Sequence, residues 1–509
     1  MTDMTDGGFF SLLRARFPME APCLTIPGGP VWTYAMIDAL SARIAGALLA
    51  CGARPGDRVA VQVEKSAQNV ALYLAALRTG LVYVPLNTAY TDEEVAFFLT
   101  DAEPAVFICA PEREDAFRPA ARAAGTKAIM TLDADGRGTL IDCAEDNIPY
   151  TNIEPRAEDD TAVILYTSGT TGRSKGTVLT QRNLASNALA LHEIWGFRPG
   201  DALLHALPIF HIHGLFVALH TAMLNGAEII FLPAFDVAAV RENLKRATVM
   251  MGVPTFYARL LADPDFGAED CAGVRLFVSG SAPLSPETFK AFEARTGHRI
   301  LERYGMSEAG MIASNPLDGA RIPGTVGFAL PDVYVRITDE TGVMLPPGEP
   351  GNVEVKGPNV FAGYWRQPEK TKEAFRGPWF VTGDIGALDE EGRLSLVGRA
   401  KDLVIAGGYN IYPAEIEQIL DAIPGVAESA VIGVPHPDMG EGVVAVLAPQ
   451  TGAPRPDDAA LAAALERLAR FKRPRRFFWI DALPRNAMGK VQKQALRERF
   501  KDAFAVGES

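Results

Sequence analysis

Short apolar runs return at 59–63, 82–86, 105–108, 162–166, 229–232 and 276–279, and the stretches between them carry helical periodicity. The runs are too short for core helices and too uniformly apolar for strands with one wet face. Strands of that kind are covered on both sides and the intervening helices are the cover, so the chain builds parallel α/β layers. Thr33 stands where a helix N-cap is wanted, ahead of a face made by Leu40, Ile44 and Leu48, and 69–78 reads as a second helix.

The pattern changes after residue 330. Strands are expected at 333–337, 351–356 and 394–397, punctuated by turns such as Pro346-Pro347-Gly348, which predicts a small β-rich subdomain. From Asp402 a separate α+β unit is expected, with strands near Leu403 and at 426–434, 443–447 and 477–480 and helices at 413–420 and 458–470. Pro413 suits a first helical turn, and Ile416, Ile419 and Leu420 form one apolar face. The expected fold class is thus α/β: a large N-terminal domain over 1–397, made of several subdomains with mixed or parallel sheets and the β-rich one, then a small C-terminal domain over 402–509. A length of 509 residues accommodates this at roughly 150 residues per domain.

Composition excludes other classes. With 48% hydrophobic and 22% charged residues the chain is neither disordered nor fibrous. A net charge of -13 argues against nucleic acid or an anionic membrane as the main partner. Cys23, Cys51, Cys109, Cys143 and Cys271 are scattered without metal-site spacing, the N-terminus lacks a signal-peptide pattern, and no run of about 18 apolar residues occurs, so a soluble cytoplasmic protein is expected. Arg470-Phe471-Lys472-Arg473-Pro474-Arg475-Arg476 packs five positive charges into seven positions. Such a run is read as a solvated face or as a contact for the phosphates of a polyanionic small molecule.

The segment Tyr166-Thr167-Ser168-Gly169-Thr170-Thr171-Gly172-Arg173-Ser174-Lys175-Gly176 follows an apolar strand. Its glycines let the backbone close around an anion, its hydroxyls and N–H groups can donate to phosphate oxygens, and Lys175 adds charge. It lacks the spacing of a P-loop, and alone it reads equally as a flexible loop. The whole string, however, resembles the phosphate-binding signature of the adenylate-forming superfamily of acyl-CoA synthetases, luciferases and peptide-synthetase adenylation domains. Further strings resemble that superfamily's later motifs in order: Leu207 to Gly214, Ser279-Gly280-Ser281-Ala282-Pro283-Leu284, Arg303-Tyr304-Gly305-Met306-Ser307-Glu308, Thr382-Gly383-Asp384, Gly398 to Asp402 and Pro484 to Lys490.

The resemblance implies a two-step reaction: ATP and an acid give an acyl-adenylate and pyrophosphate, then the CoA thiol displaces AMP. By the same resemblance, Thr167, Ser168, Gly169, Thr170, Thr171, Gly172 and Lys175 hold the β and γ phosphates, Ser307 meets the α phosphate and Glu308 holds Mg²⁺. Gly280, Ser281, Ala282 and Tyr304 would face adenine, Asp384 the ribose hydroxyls and Arg399 ribose or phosphate. Residues 398–401 fall at the superfamily's interdomain hinge, with Lys401 at its pivot. Lys490 matches the adenylation lysine, His211 joins it in the catalytic set, and Gly407, Gly408 and Tyr409 would line a CoA pantetheine tunnel. A lysine acetyltransferase and deacetylase acting on Lys490 are possible partners, because relatives with this Gly-Lys are silenced by acetylation.

Arg303 addresses the acid. Relatives that take aryl or long-chain acids commonly have a small residue at this place, whereas an arginine both fills the pocket and asks for a carboxylate. His213, Ser279, Ser281, Met306 and Arg259, the last on a helix opened by Pro254, complete the expected acid site. The neighbourhood of Arg303 and the two-histidine string resemble malonyl-CoA synthetases, which implies malonate as substrate and methylmalonate as a poorer one. Left open are an outward Arg303 paired with Glu302, a different short or aryl acid, and loading of a carrier protein instead of CoA.

Overall fold

The computed structural model describes residues 8–167, 174–406, 409–437, 439–485 and 490–505. Two large sheets carry the N-terminal part. The first has seven strands, ordered Gly363–Tyr364, Lys175–Thr180, Thr161–Thr167, Val82–Pro85, Arg58–Gln62, Val106–Cys109 and Ala128–Thr131. The second has nine, running from Phe328–Ala329 through Gly310–Ser314, Leu301–Met306, Leu276–Ser279, Val249–Gly252, Ala202–His205 and Glu228–Phe231 to Pro22–Thr25 and Val31–Thr33. The central strands are parallel and buried on both faces, as their uninterrupted apolar sequences demand.

Helices cover them as expected. Thr33 caps Tyr34–Ala50 by accepting a hydrogen bond from the Met36 N–H, and Ser66 caps Ala67–Arg78 through the Asn69 N–H. The layers are not purely parallel, however. Lys175–Thr180 returns antiparallel to Thr161–Thr167, and Gly310–Ser314 antiparallel to Leu301–Met306, so each sheet carries a hairpin next to the short strand at one edge.

The β-rich subdomain is an antiparallel sheet of Tyr334–Thr338, Gly351–Lys356, Trp379–Leu388, Phe375–Arg376 and Leu394–Arg399. The last strand runs through Gly398 and Arg399, and Ala400–Asp402 follows as a 3₁₀ turn. The C-terminal unit holds the long hairpin Val426–His436 and Gly440–Pro449, joined in parallel by Arg476–Trp479. Its helix Pro413–Asp421 buries Ile416, Ile419 and Leu420, and Pro413 opens it. The expected helix 458–470 is shorter: Asp458–Ala464. The Arg473 guanidinium takes the carbonyls of Glu466 and Leu468, which supplies partners outside a helix and lets the chain turn toward Arg476–Trp479. No described helix is long and apolar enough to cross a membrane.

Candidate active site

The segments that follow the parallel strands Ala202–His205, Val249–Gly252 and Leu276–Ser279 line one cleft beyond their carboxyl ends, the usual place for ligands in open α/β sheets. Thr167 ends one strand and pairs in register with Lys175 on the return, so both stand at the mouth of the phosphate loop. Ser168, Gly169, Thr170, Thr171 and Gly172 lie outside the described residues. The Lys175 ammonium sits 4.7 Å from the centre of the Tyr364 ring, and the Tyr364 hydroxyl donates to Glu308 Oε1 at 3.3 Å. Glu308 is buried, which pushes its carboxyl above the usual range against the pull of Arg399, Tyr364 and Lys490. Ser307 lies beside it in the turn after Leu301–Met306, and Met306 packs partly buried on the core.

Tyr304 and Asp384 come from different sheets and meet: the Tyr304 hydroxyl donates to Asp384 Oδ2 at 2.5 Å. Arg399, directly across the antiparallel ladder from Asp384, places Nε 2.8 Å from Asp384 Oδ1. Burial raises the Asp384 carboxyl and the Arg399 charge opposes it. One carboxylate oxygen faces a hydroxyl and the other a cation, which fixes the group at the end of the cleft.

The acid site expected from the sequence centres on Arg303. This arginine is 4% exposed, and among the described residues its Nε and Nη2 have no hydrogen-bond partner. Ser279 Oγ and His213 Nε2 are likewise buried without partners. Burial brings the Arg303 guanidinium down to about 9, with Tyr257 and Glu302 opposing. The outward reading of Arg303 does not hold. Residues alternate faces along a strand, and Glu302 points the other way, accepting the Leu284 N–H at 2.9 Å. Ser281 has left-handed backbone (φ 72) and shares a 3.2 Å hydrogen bond with His213 Nδ1, an arrangement of stored strain common at binding sites. Gly280 and Ala282 flank it.

His211, His213, Gly214, Ser281 and Arg259 line a cleft of about 210 Å³ together with Leu207, Pro208, Val253, Thr255 and Phe256. Burial drives the His211 imidazole down to about 3, helped by Lys490 and Arg303, and moves His213 in the same direction, so both rings are neutral at physiological pH. They stand at the start of a π-helical turn, His213–Leu219, which no sequence pattern announced. Such turns occur frequently at functional sites.

Lys490 enters from the C-terminal unit. Its side chain touches solvent but is crowded by protein, and crowding foremost, then Arg399, pulls its ammonium below the usual range while Asp384 and Glu308 pull upward. The same lysine is felt at His211. The chain before and after it is tied down: Arg485 pairs with Glu428, and Lys493 Nζ lies 2.6 Å from Glu417 Oε1. Lys490 is therefore held against a cluster of Glu308, Asp384, Arg399 and Arg303.

The expected CoA contacts are less complete. Gly407 and Gly408 lie outside the described residues, while Tyr409 is exposed and stacks on Phe471 at 4.4 Å. Within the basic run Lys472 is paired with Glu415 and Arg473 with backbone carbonyls, whereas Arg475 and Arg476 are exposed. Sequence reading missed Tyr364, which links Lys175 to Glu308, and Phe256, which walls the cleft and stacks on Phe235. A tyrosine beside Trp365 and a phenylalanine on an apolar helix face give no signal of a site.

Among the described residues no group of three or more metal-ligating side chains occurs. Glu308, a buried carboxylate that accepts from the Tyr364 hydroxyl and from its own backbone N–H, suits Mg²⁺ held by one protein oxygen with phosphate oxygens and water.

Comparison with known proteins agrees with this geometry. Residues 13–365 match the AMP-binding enzyme family and residues 415–490 the AMP-binding enzyme C-terminal domain. A feruloyl-CoA synthase from Amycolatopsis is 37% identical, over 97% of this chain and 99% of its own. A sulfoacetate–CoA ligase from Cupriavidus necator is 36% identical, over 97% of each. A malonate–CoA ligase from Arabidopsis thaliana is 34% identical, over 89% of this chain and 79% of its own. ATP-bound MatB from Rhodopseudomonas palustris superposes with a TM-score of 0.96 at 50% identity, covering 98% of this chain and 100% of MatB, whereas apo MatB gives 0.85. The arrangement seen here thus resembles the ATP-bound form. A family match over more than half of the chain, its C-terminal counterpart and a shared fold place the protein among the AMP-binding, adenylate-forming enzymes that its motif strings resemble.

Proposed function

We propose that this protein is a malonate–CoA ligase, forming malonyl-CoA, AMP and pyrophosphate from malonate, ATP and CoA. The observation that carries this is the group of buried polar atoms with no partner: Arg303 Nε and Nη2, Ser279 Oγ and His213 Nε2. Leaving such atoms unpaired costs about 1 to 3 kcal/mol each, more for a charged group, so the site is organised for a ligand that supplies acceptors and negative charge. A distal carboxylate does both, and His213 of this group lines the cleft together with its hydrogen-bond partner Ser281. The 34% identity to a malonate–CoA ligase supports the same reading.

In the first step a malonate carboxylate oxygen attacks the α phosphorus of ATP, forming the acyl C–O–P linkage and breaking the bond to pyrophosphate. Lys490 stabilises the charge that crowds between the two anions, Thr167 and Lys175 with their loop hold the β and γ phosphates, and Ser307 meets the α phosphate. Asp384, steadied by Arg399 and Tyr304, receives the ribose hydroxyls. Mg²⁺ at Glu308, when bound, neutralises phosphate oxygens. In the second step the CoA sulfur attacks the acyl carbon and AMP leaves. Lys490 belongs to the small domain over 402–509, so that domain turns about 398–401 between steps and brings Gly407, Gly408 and Tyr409 to the thiol's path. Neutral His211 and His213 can accept or donate hydrogen bonds in the cleft without adding positive charge.

A second reading, sulfoacetate, is favoured by the 36% identical sulfoacetate–CoA ligase, since a sulfonate would also satisfy Arg303. Pyrophosphate release and acyl-CoA formation with malonate, methylmalonate, sulfoacetate, propionate, butyrate and ferulate distinguish them. Malonate is expected to give the highest kcat/KM; a neutral or aryl acid in first place would overturn the reading.

A further inference from the structure

One half-buried cation has no part in the nucleotide or acid contacts described above. Lys65 lies in the connection between the strand Arg58–Gln62 of the seven-stranded sheet and the helix Ala67–Arg78. Its Nζ reaches across to the nine-stranded sheet and meets three acceptors there: His205 Nδ1 at 2.9 Å, the His205 carbonyl at 2.9 Å and the Leu232 carbonyl at 2.5 Å. The Phe231 ring covers it, 4.2 Å from Nζ to the centroid. On the far side of the imidazole, His205 Nε2 stands 2.9 Å from the Gly214 carbonyl.

These distances assign the protons. A ring nitrogen facing a carbonyl must carry hydrogen, so His205 Nε2–H donates to Gly214 and Nδ1 presents a lone pair. Lys65 therefore donates to Nδ1, and with two more carbonyls accepting it uses all three N–H bonds of an ammonium. A neutral amine has one donor too few. Burial pulls the Lys65 ammonium well below its usual range, and the three acceptors are what hold its proton in place.

Gly214 belongs to the π-helical turn that starts at His213, and a β-carbon on it would fall 2.0 Å from the Pro208 carbonyl. The turn is wedged against Pro208 on one side and pulled by His205 on the other. His211, His213 and Gly214 all line the acid cleft.

We infer that Lys65 is a positioning residue for the acid site: through His205 it fixes the Gly214 carbonyl, and with it the π-helical turn that aims His211 and His213 into the cleft. The chain of contacts runs from Lys65 to His205 to Gly214, and among the described residues it shares no hydrogen bond or ion pair with Thr167, Lys175, Tyr304 or Asp384.

This rests on the placing of the acid in that cleft, not on the acid being malonate. The assay therefore uses whichever acid the unaltered enzyme turns over best, so a different preferred acid overturns the proposal above and leaves this one standing. Lys65→Met, His205→Leu and the double variant are compared with the parent for KM of the acid, KM of ATP, kcat and Tm. Both single variants are expected to raise the acid KM about tenfold or more while the ATP KM stays within twofold. The double variant should match the worse single one, because both act through one series of contacts. Lys65→Arg, which keeps the charge but replaces a tetrahedral donor by a planar one, should show the same split with a smaller Tm change. Parallel rises in both KM values, an unchanged acid KM in folded Lys65→Arg, or additive effects in the double variant would each overturn the inference.

Discussion

The Arg303 guanidinium occupies the space a side chain at residue 280 would need: a β-carbon built on Gly280 falls 2.4 Å from Arg303 Cζ. The glycine has a negative φ, so its requirement is close approach and not backbone freedom. The string that begins at Ser279 and the Arg303 guanidinium are thus one packed unit, in which residue 280 must be bare for the arginine to lie along it.

Gly280→Ala accordingly displaces the guanidinium from its buried berth. The expected outcome is a rise of tenfold or more in KM for the acid, about 1.4 kcal/mol of lost binding, with a smaller effect on KM for ATP. Initial-rate measurements with each substrate varied in turn check this, and an unchanged KM for the acid would show that Arg303 does not hold it.

Arg303→Gly removes one member of the expected desolvated charge pair, which typically costs about 2 to 5 kcal/mol. The kcat/KM for malonate should then fall by very roughly 30-fold to several thousand-fold. Butyrate never uses the guanidinium, so its kcat/KM should stay level or rise as space opens. Equal losses for both acids would make Arg303 structural.

Lys490→Ala strips positive charge from a point surrounded by Glu308, Asp384, Arg399 and Arg303. Adenylation, followed as pyrophosphate release, should drop by several orders of magnitude. Thioester formation from pre-formed acyl-adenylate and CoA should survive. Enzymatic acetylation of Lys490 removes the same charge and should act like the substitution, with deacetylation restoring activity.

Glu302 supplies a stability test. Burial lifts its carboxyl from 4.5 to about 7 in the folded state. Below pH 4.5 both states are protonated and its contribution is fully present; as pH rises toward 7 the unfolded chain ionises first and that contribution is lost. Glu302→Gln keeps an acceptor for the Leu284 N–H and cannot ionise. Its advantage over the parent should be nil near pH 4.5 and grow to at most about 3 kcal/mol by pH 8. Urea unfolding at pH 5, 6.5 and 8 reads this directly.

Much of the molecule follows from local chemistry. Thr33 and Ser66 cap helices because a hydroxyl before an apolar-periodic segment satisfies a free N–H wherever it occurs, and Pro413 opens a helix because its ring presets the first turn. The buried strands are legible because a doubly covered strand has no polar position. The motif strings are legible because each keeps its characteristic residues contiguous. What sequence leaves open is anything that depends on distant segments meeting. The alternation along Leu301–Met306 says that Glu302 and Arg303 point oppositely, but only the packed sheets decide which of them faces the cleft. The helix expected at 458–470 ends at Ala464, and beyond it the Glu466 and Leu468 carbonyls accept from the Arg473 guanidinium. The π-helical turn at His213–Leu219 packs Gly214 against the Pro208 carbonyl and bonds it to His205, and Lys65 finds His205 across 140 residues of chain. Capping, periodicity and motif chemistry act within a few residues and are written in order along the chain. Burial, unpaired polar atoms and shifted protons arise only when tertiary contacts exclude water, so they became visible with the fold.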